Sequence, residues 1–183
     1  MRHLLAACAV LLLSGCSTLD MHDGAKLRTL DYLRDDLASL VIAFDLPRGV
    51  APLAGASTLG VDVAGSSPRH LKLTLAEADA DEIAAGLPPP GQGRAYYLFG
   101  FADPDKAAIR EIQLAARNAN VAATAVTLTL APRFCRSGSL DPHALAISVL
   151  AALPGDTSLA PLIDRQNLAD ALAASGGDLP PCA

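Results

Sequence analysis

His143 follows Asp141-Pro142, a spacing at which a carboxylate could orient an imidazole as a general base. No nucleophile motif accompanies it. The run Gly55-Ala56-Ser57-Thr58-Leu59-Gly60 misses the Gly-x-Ser-x-Gly spacing of a nucleophile elbow by one residue and reads as a flexible turn. Glu77, Asp79, Asp81 and Glu82 gather four carboxylates at a spacing that superficially suggests a calcium loop. An EF-hand is excluded, because Glu82 stands where the turn needs glycine and Pro88 where it needs a bidentate carboxylate. The cluster reads as a solvated acidic turn, with a looser calcium site as the alternative. His70 alternates outward beside Lys72, as an exposed strand residue does. Gly91-Gln92-Gly93 precedes an expected strand, so it lacks the helix start that a phosphate loop needs. The residues assign no catalytic group, no metal site and no cofactor.

The elements that would position these side chains follow from periodicity. Leu27, Leu30, Leu33 and Leu37 recur at roughly helical spacing, which predicts a short amphipathic helix packed on the domain. From Ser39 the period becomes two. Leu40, Ile42, Phe44 and Leu46 alternate with Ser39, Val41, Ala43 and Asp45 until Pro47 and Gly49. Further strands are expected with Leu59, Val61 and Val63 on one face, and with Leu71, Leu73 and Leu75 on one face against His70, Lys72 and Thr74. Leu87 to Gly93, with three prolines, must be a connector. Ala95 to Phe101 forms an aromatic strand in which Tyr96 and Tyr97 point to opposite faces, one into the core and one towards a pocket or partner surface.

Asp103-Pro104 predicts a capped helix start, and Ile109, Ile112, Gln113 and Ala116 share a face, so a helix is expected over 104–118. Strands follow at 125–130 and 145–149, then an edge strand at 159–163 interrupted by Pro161, then a short helix over 166–174. Strands in runs, without regular alternation with helices, predict a mainly β fold: an antiparallel β-sandwich with one to three short helices. The alternative is an α+β fold, a single antiparallel sheet covered by a helix.

The amino terminus carries an address. Arg2 and His3 precede the ten-residue apolar run Leu4–Leu13, too short to span a bilayer, which needs about 20 residues. Leu13-Ser14-Gly15-Cys16 closes the run and resembles the lipobox of bacterial lipoprotein precursors. The resemblance covers only about the first 17 residues; no domain family attaches to the remainder. It implies a signal peptide at 1–15 and lipid attachment (diacylglycerol and an acyl chain such as palmitate) at Cys16; the small, polar run to Gly24 then reads as a lipidated tether at 16–24, and the remaining length as one globular domain at 25–183. Two or three chains on one cysteine hold a protein durably where one chain holds it marginally. Ser17, where inner-membrane retention in enteric bacteria would want Asp, implies the periplasmic face of the outer membrane.

With Cys8 lost and Cys16 lipidated, Cys135 and Cys182 remain in an oxidising compartment, where two cysteines most simply pair. Unpaired cysteines, or a thiol with a redox or metal role, are the alternatives. A bridge over about 47 residues would contribute roughly 4 kcal/mol and pin the Pro180-Pro181-Cys182 tail. The net charge of −5 becomes one unit more negative once Arg2 leaves, and basic residues are scattered, which argues against nucleic acid as a partner. These observations together predict a cell-envelope lipoprotein that is a non-enzymatic binding or assembly module, with membrane lipid and an envelope protein as partners. A membrane-tethered hydrolase or the small-ligand receptor of a transporter is the alternative.

Overall fold

The structure, a computed structural model, describes residues 19–20, 31–65, 68–78, 87–122, 125–152, 156, 158–174 and 179–183. It is mainly β and wholly antiparallel within its sheets. The strands are β1 (Leu19–Asp20), β2 (Val41–Pro47), β3 (Val50–Pro52), β4 (Thr58–Val63), β5 (Arg69–Thr74), β6 (Ala76–Glu77), β7 (Arg94–Gly100), β8 (Val126–Ala131), β9 (Phe134–Arg136), β10 (Ala146–Ala152) and β11 (Ala160–Asn167). Helix α1 spans Asp103–Asn118 and α2 spans Leu168–Ala174. One sheet runs β1-β8-β4-β5, a second runs β11-β10-β2-β7-β6, and β3 pairs with β9 in a short ribbon.

Alternation decides which face each strand buries. Leu59, Val61 and Val63 of β4 and Val126, Leu128 and Leu130 of β8 turn into the same core as Ile42, Phe44 and Leu46 of β2 and Ile147, Val149 and Ala151 of β10. Phe44, with no exposed surface, lies at the centre. Its ring meets Phe99 at 5.4 Å and Phe134 edge-on at 5.4 Å, geometries that aromatic quadrupoles favour. β11 is an edge, as Pro161 predicts.

Helix α1 buries Ile109, Ile112, Gln113 and Ala116, the face expected from their spacing. Its start differs by one residue from expectation. Ala102 is the N-cap, and Asp103 lies in the first turn, where its carboxylate takes a bond from Lys106 Nζ at 3.2 Å. The helix closes as a Schellman motif: Val121 N donates to Ala116 O at 3.0 Å and Asn120 N to Arg117 O at 3.0 Å. Asn120 takes the left-handed position with φ 51°, which asparagine tolerates better than most residues.

The helix expected around Leu27 to Leu37 is not formed in its described part; Leu27 and Leu30 lie outside the described residues. Residues 31–36 make turns, and Leu37–Ser39 is a 3-10 helix. The Asp31 carboxylate accepts from Leu33 N at 3.1 Å and Arg34 N at 3.2 Å, and Asp35 Oδ2 accepts from Asp31 N at 2.8 Å. Such side-chain bonds offer the backbone an alternative to the helical ladder.

Candidate functional site

The candidates for catalysis do not assemble. His143 is exposed on a 3-10 turn, Pro142–Ala144, and the Asp141 carboxylate accepts from the His143 main-chain N at 3.0 Å. Asp141 thus caps a turn and does not orient the imidazole. Ser57 is buried, and its hydroxyl accepts from Arg133 N at 2.9 Å, which ties the turn before β4 to the segment between β8 and β9. His70 faces Asp62 at 2.5 Å across β4 and β5 on the outward side of the four-stranded sheet, with Lys72 one alternation along. Glu77 is exposed on β6, while Asp79, Asp81 and Glu82 lie outside the described residues. Among the described residues no group of three His, Cys, Asp or Glu side chains could hold a metal ion. Leu13, Ser14, Gly15 and Cys16 also lie outside the described residues.

The five-stranded sheet places a different set of groups together on the face turned away from the core. Antiparallel register puts Asp45 of β2 between Ser148 of β10 and Tyr96 of β7. The adjacent row is Leu150, Ala43 and Leu98. Arg94 lies beside Pro47 at the start of β7 and reaches along the sheet. Its Nε donates to Asp45 Oδ1 at 2.8 Å, one terminal nitrogen to Asp45 O at 2.7 Å, and the other to Ala146 O at 2.9 Å. One side chain thereby joins β7, β2 and β10. The two side chains are only 18% and 17% exposed, so the pair is shielded from the water and salt that weaken surface ion pairs.

Tyr97 packs against the core, while Tyr96 is half-buried on the outward face, so the two rings divide as the alternation predicts. Burial pushes the Tyr96 phenol above its ordinary value, and the nearby Asp45 charge adds to the rise. The hydroxyl therefore stays protonated at neutral pH. Ser148 and Ala43 are buried, so the part of these two rows that solvent reaches is the Tyr96 hydroxyl and ring with Leu98 and Leu150, and the Asp45 carboxylate lies pinned beside them. Sequence reading missed Arg94. The available signal was a charge in each of two otherwise apolar runs, Asp45 in Ile42–Leu46 and Arg94 ahead of Ala95–Phe101.

Cys135 and Cys182 are bonded, with an S–S distance of 2.14 Å. Residues 179–183 lie along β9. Arg136 N donates to Pro180 O at 2.8 Å, Cys182 N to Arg136 O at 2.9 Å, and Arg136 Nε to Leu179 O at 3.0 Å, while Leu179 itself is buried in the core. Ordering five residues costs about 5–10 kcal/mol. One buried leucine returns about 1.5–3 kcal/mol and three hydrogen bonds about 0.5–1.5 kcal/mol each, which offsets much of that cost, and the cross-link adds to the hold on the segment.

Comparison of the chain with protein-family models, with curated proteins and with solved structures found no match.

Proposed function

We propose that this chain is a cell-envelope lipoprotein, anchored through Cys16, whose sandwich is a non-enzymatic binding or assembly module for another envelope protein. The observation that carries the binding role is the outward face of the five-stranded sheet, where the part-exposed Tyr96, Leu98 and Leu150 lie around the pinned Asp45 and over the buried Ser148 and Ala43. Partner surfaces commonly combine apolar contact with a few fixed polar groups, and an aromatic ring with a protonated hydroxyl serves both. An anchored module meets a partner in the same membrane at raised effective concentration, so modest contacts suffice. Of the two supports the hydrolase alternative had, His143 is exposed and Asp141 caps its turn, while of the Glu77 to Glu82 carboxylates only Glu77 lies among the described residues.

A photo-crosslinking residue placed at Leu98 in whole cells tests this reading, with the same residue at Thr129 on the opposite sheet as control. The expected result is an envelope protein captured from position 98 and not from 129. Failure to recover any reproducible envelope partner from position 98 overturns the binding role. Cys16→Ser with fractionation tests the anchor separately. Unchanged membrane retention and unchanged mass would sink it.

A further inference from the structure

We infer that residues 179–183 form a latch released by thiol–disulfide exchange at Cys182 Sγ. The two sulfurs differ in access. Cys135 is 4% exposed on β9, beside the buried Phe134 and opposite Ala51 of β3, whereas Cys182 is only partly buried, between the exposed Pro181 and Ala183. A thiolate attacks a disulfide in line, from the side opposite the leaving sulfur. Cys182 has surface open to solvent from which a thiolate can approach, whereas Cys135 is buried and offers almost none.

The reductant is a dithiol. Its first thiolate bonds to Cys182 Sγ, the Cys135–Cys182 bond breaks, and Cys135 leaves as a thiolate that takes up a proton. The second thiol of the reductant then attacks the mixed disulfide, freeing Cys182 as a thiol and leaving the reductant as its own disulfide. Two electrons pass to the chain. Once the cross-link is open, the segment keeps the Arg136 bonds to Leu179, Pro180 and Cys182 and the Leu179 side chain but loses its one covalent tie to β9. Both sheets are built from residues before 168, so their strand ladders do not include this segment, whose Leu179 adds one side chain to the core they share around Phe44. Opening is therefore local: the edge of β9 and the socket of Leu179 are uncovered while the sandwich stays folded.

Two measurements on the full chain test the latch. In the first, the oxidised protein reacts briefly with reduced glutathione, free thiols are alkylated, and peptides are weighed. Glutathione is expected on Cys182 and the alkyl group on Cys135, in at least tenfold preference. Equal labelling, or glutathione mainly on Cys135, overturns the assigned site. In the second, amide hydrogen exchange is compared before and after dithiothreitol. Arg136 and Cys182 amides are expected to exchange at least tenfold faster, while β2 and β10 amides keep their rates. Loss of protection in all strands at once, or no change at Arg136, overturns local release. The Cys135→Ala, Cys182→Ala double variant must reproduce the reduced pattern without reductant; failure of that variant to fold also counts against the latch.

Discussion

Arg94 grips Asp45 twice, through the carboxylate Oδ1 at 2.8 Å and through the main-chain oxygen at 2.7 Å. The first bond neutralises a charge at the middle of an otherwise apolar strand. The second fixes the backbone that carries it. Because the guanidinium also reaches Ala146 O, the carboxylate is held in one place relative to three strands. A planar fork of donors can do this, and a lysine ammonium cannot.

Removing the arginine alone should therefore cost more than removing both partners. Arg94→Met is expected to lower unfolding free energy by about 3 kcal/mol, because it leaves the Asp45 carboxylate mostly shielded and uncompensated. The double variant Arg94→Met, Asp45→Asn should recover about half of that loss. Urea unfolding of the four proteins in the cycle measures both. A single-variant loss below about 1 kcal/mol would show that the pair behaves as an ordinary surface bridge.

The Tyr96 phenol should titrate above its ordinary value of 10.0, chiefly through burial and secondarily through Asp45. A raised folded value means that the neutral form is favoured in the fold. The corresponding stability is complete below the unfolded value and is lost as pH rises through the folded one. Ultraviolet titration of the phenolate band, with Tyr96→Phe subtracted, isolates this group. Asp45→Asn should move the midpoint down. A midpoint that Asp45→Asn leaves untouched would remove the carboxylate from the account.

Alternation made much of the fold legible. The bounds of β4 at Thr58–Val63 and the outward setting of His70 and Lys72 follow directly from period-two patterning, because one face is core and the other water. Helix α1 was legible at its end for a local reason, since Asn118, Asn120 and Val121 complete a helix stop within a few residues. What patterning could not reach is either too short or too distant. β3 and β9 have three residues each, fewer than any period can declare, and the Arg94–Asp45 pair spans 49 positions. Residues 31–36 misled because leucine spacing carries no record of the carboxylates that cap turns there. The candidate site was half legible: Tyr96 stood out, and its polar neighbours became neighbours only through pairing.

Three side chains on one stripe of α1 hold that segment. Gln113 Nε2 donates to Tyr32 O and Asp35 O, each at 2.8 Å; Arg117 donates to Leu33 O; and Arg110 pairs with Asp36 at 2.9 Å. Gln113→Leu would leave two main-chain oxygens without this donor, and a cost of about 1–3 kcal/mol is expected in urea unfolding. The Arg110 hydrogen bond holds the Asp36 carboxyl below its ordinary value of 3.8. That contribution is present above 3.8 and is lost as pH falls through the lowered folded value. The stability difference between wild type and Arg110→Ala should accordingly shrink on acidification. A difference that stays constant into strong acid would mean that the carboxylate is not the relevant partner.

Ser148 and Arg165 make a final pair of opposed expectations. β11 slips register against β10 between Ile147 and Val149, and Arg165 absorbs the irregularity with φ 49°, a left-handed setting that costs a non-glycine residue energy. The buried Ser148 hydroxyl accepts from Arg165 N at 2.9 Å, so the main-chain donor freed by the bulge is satisfied. Ser148→Ala removes that acceptor and should destabilise by about 1–3 kcal/mol. Arg165→Gly keeps the bond and relieves the backbone, so it should stabilise by about 0.5–1 kcal/mol despite losing a side chain. Thermal unfolding of the two variants decides the matter, because the bulge predicts opposite signs at residues joined by one hydrogen bond. If Arg165→Gly melts below wild type, the left-handed residue is not strained, and the register slip must be held by the side chain of Arg165 itself.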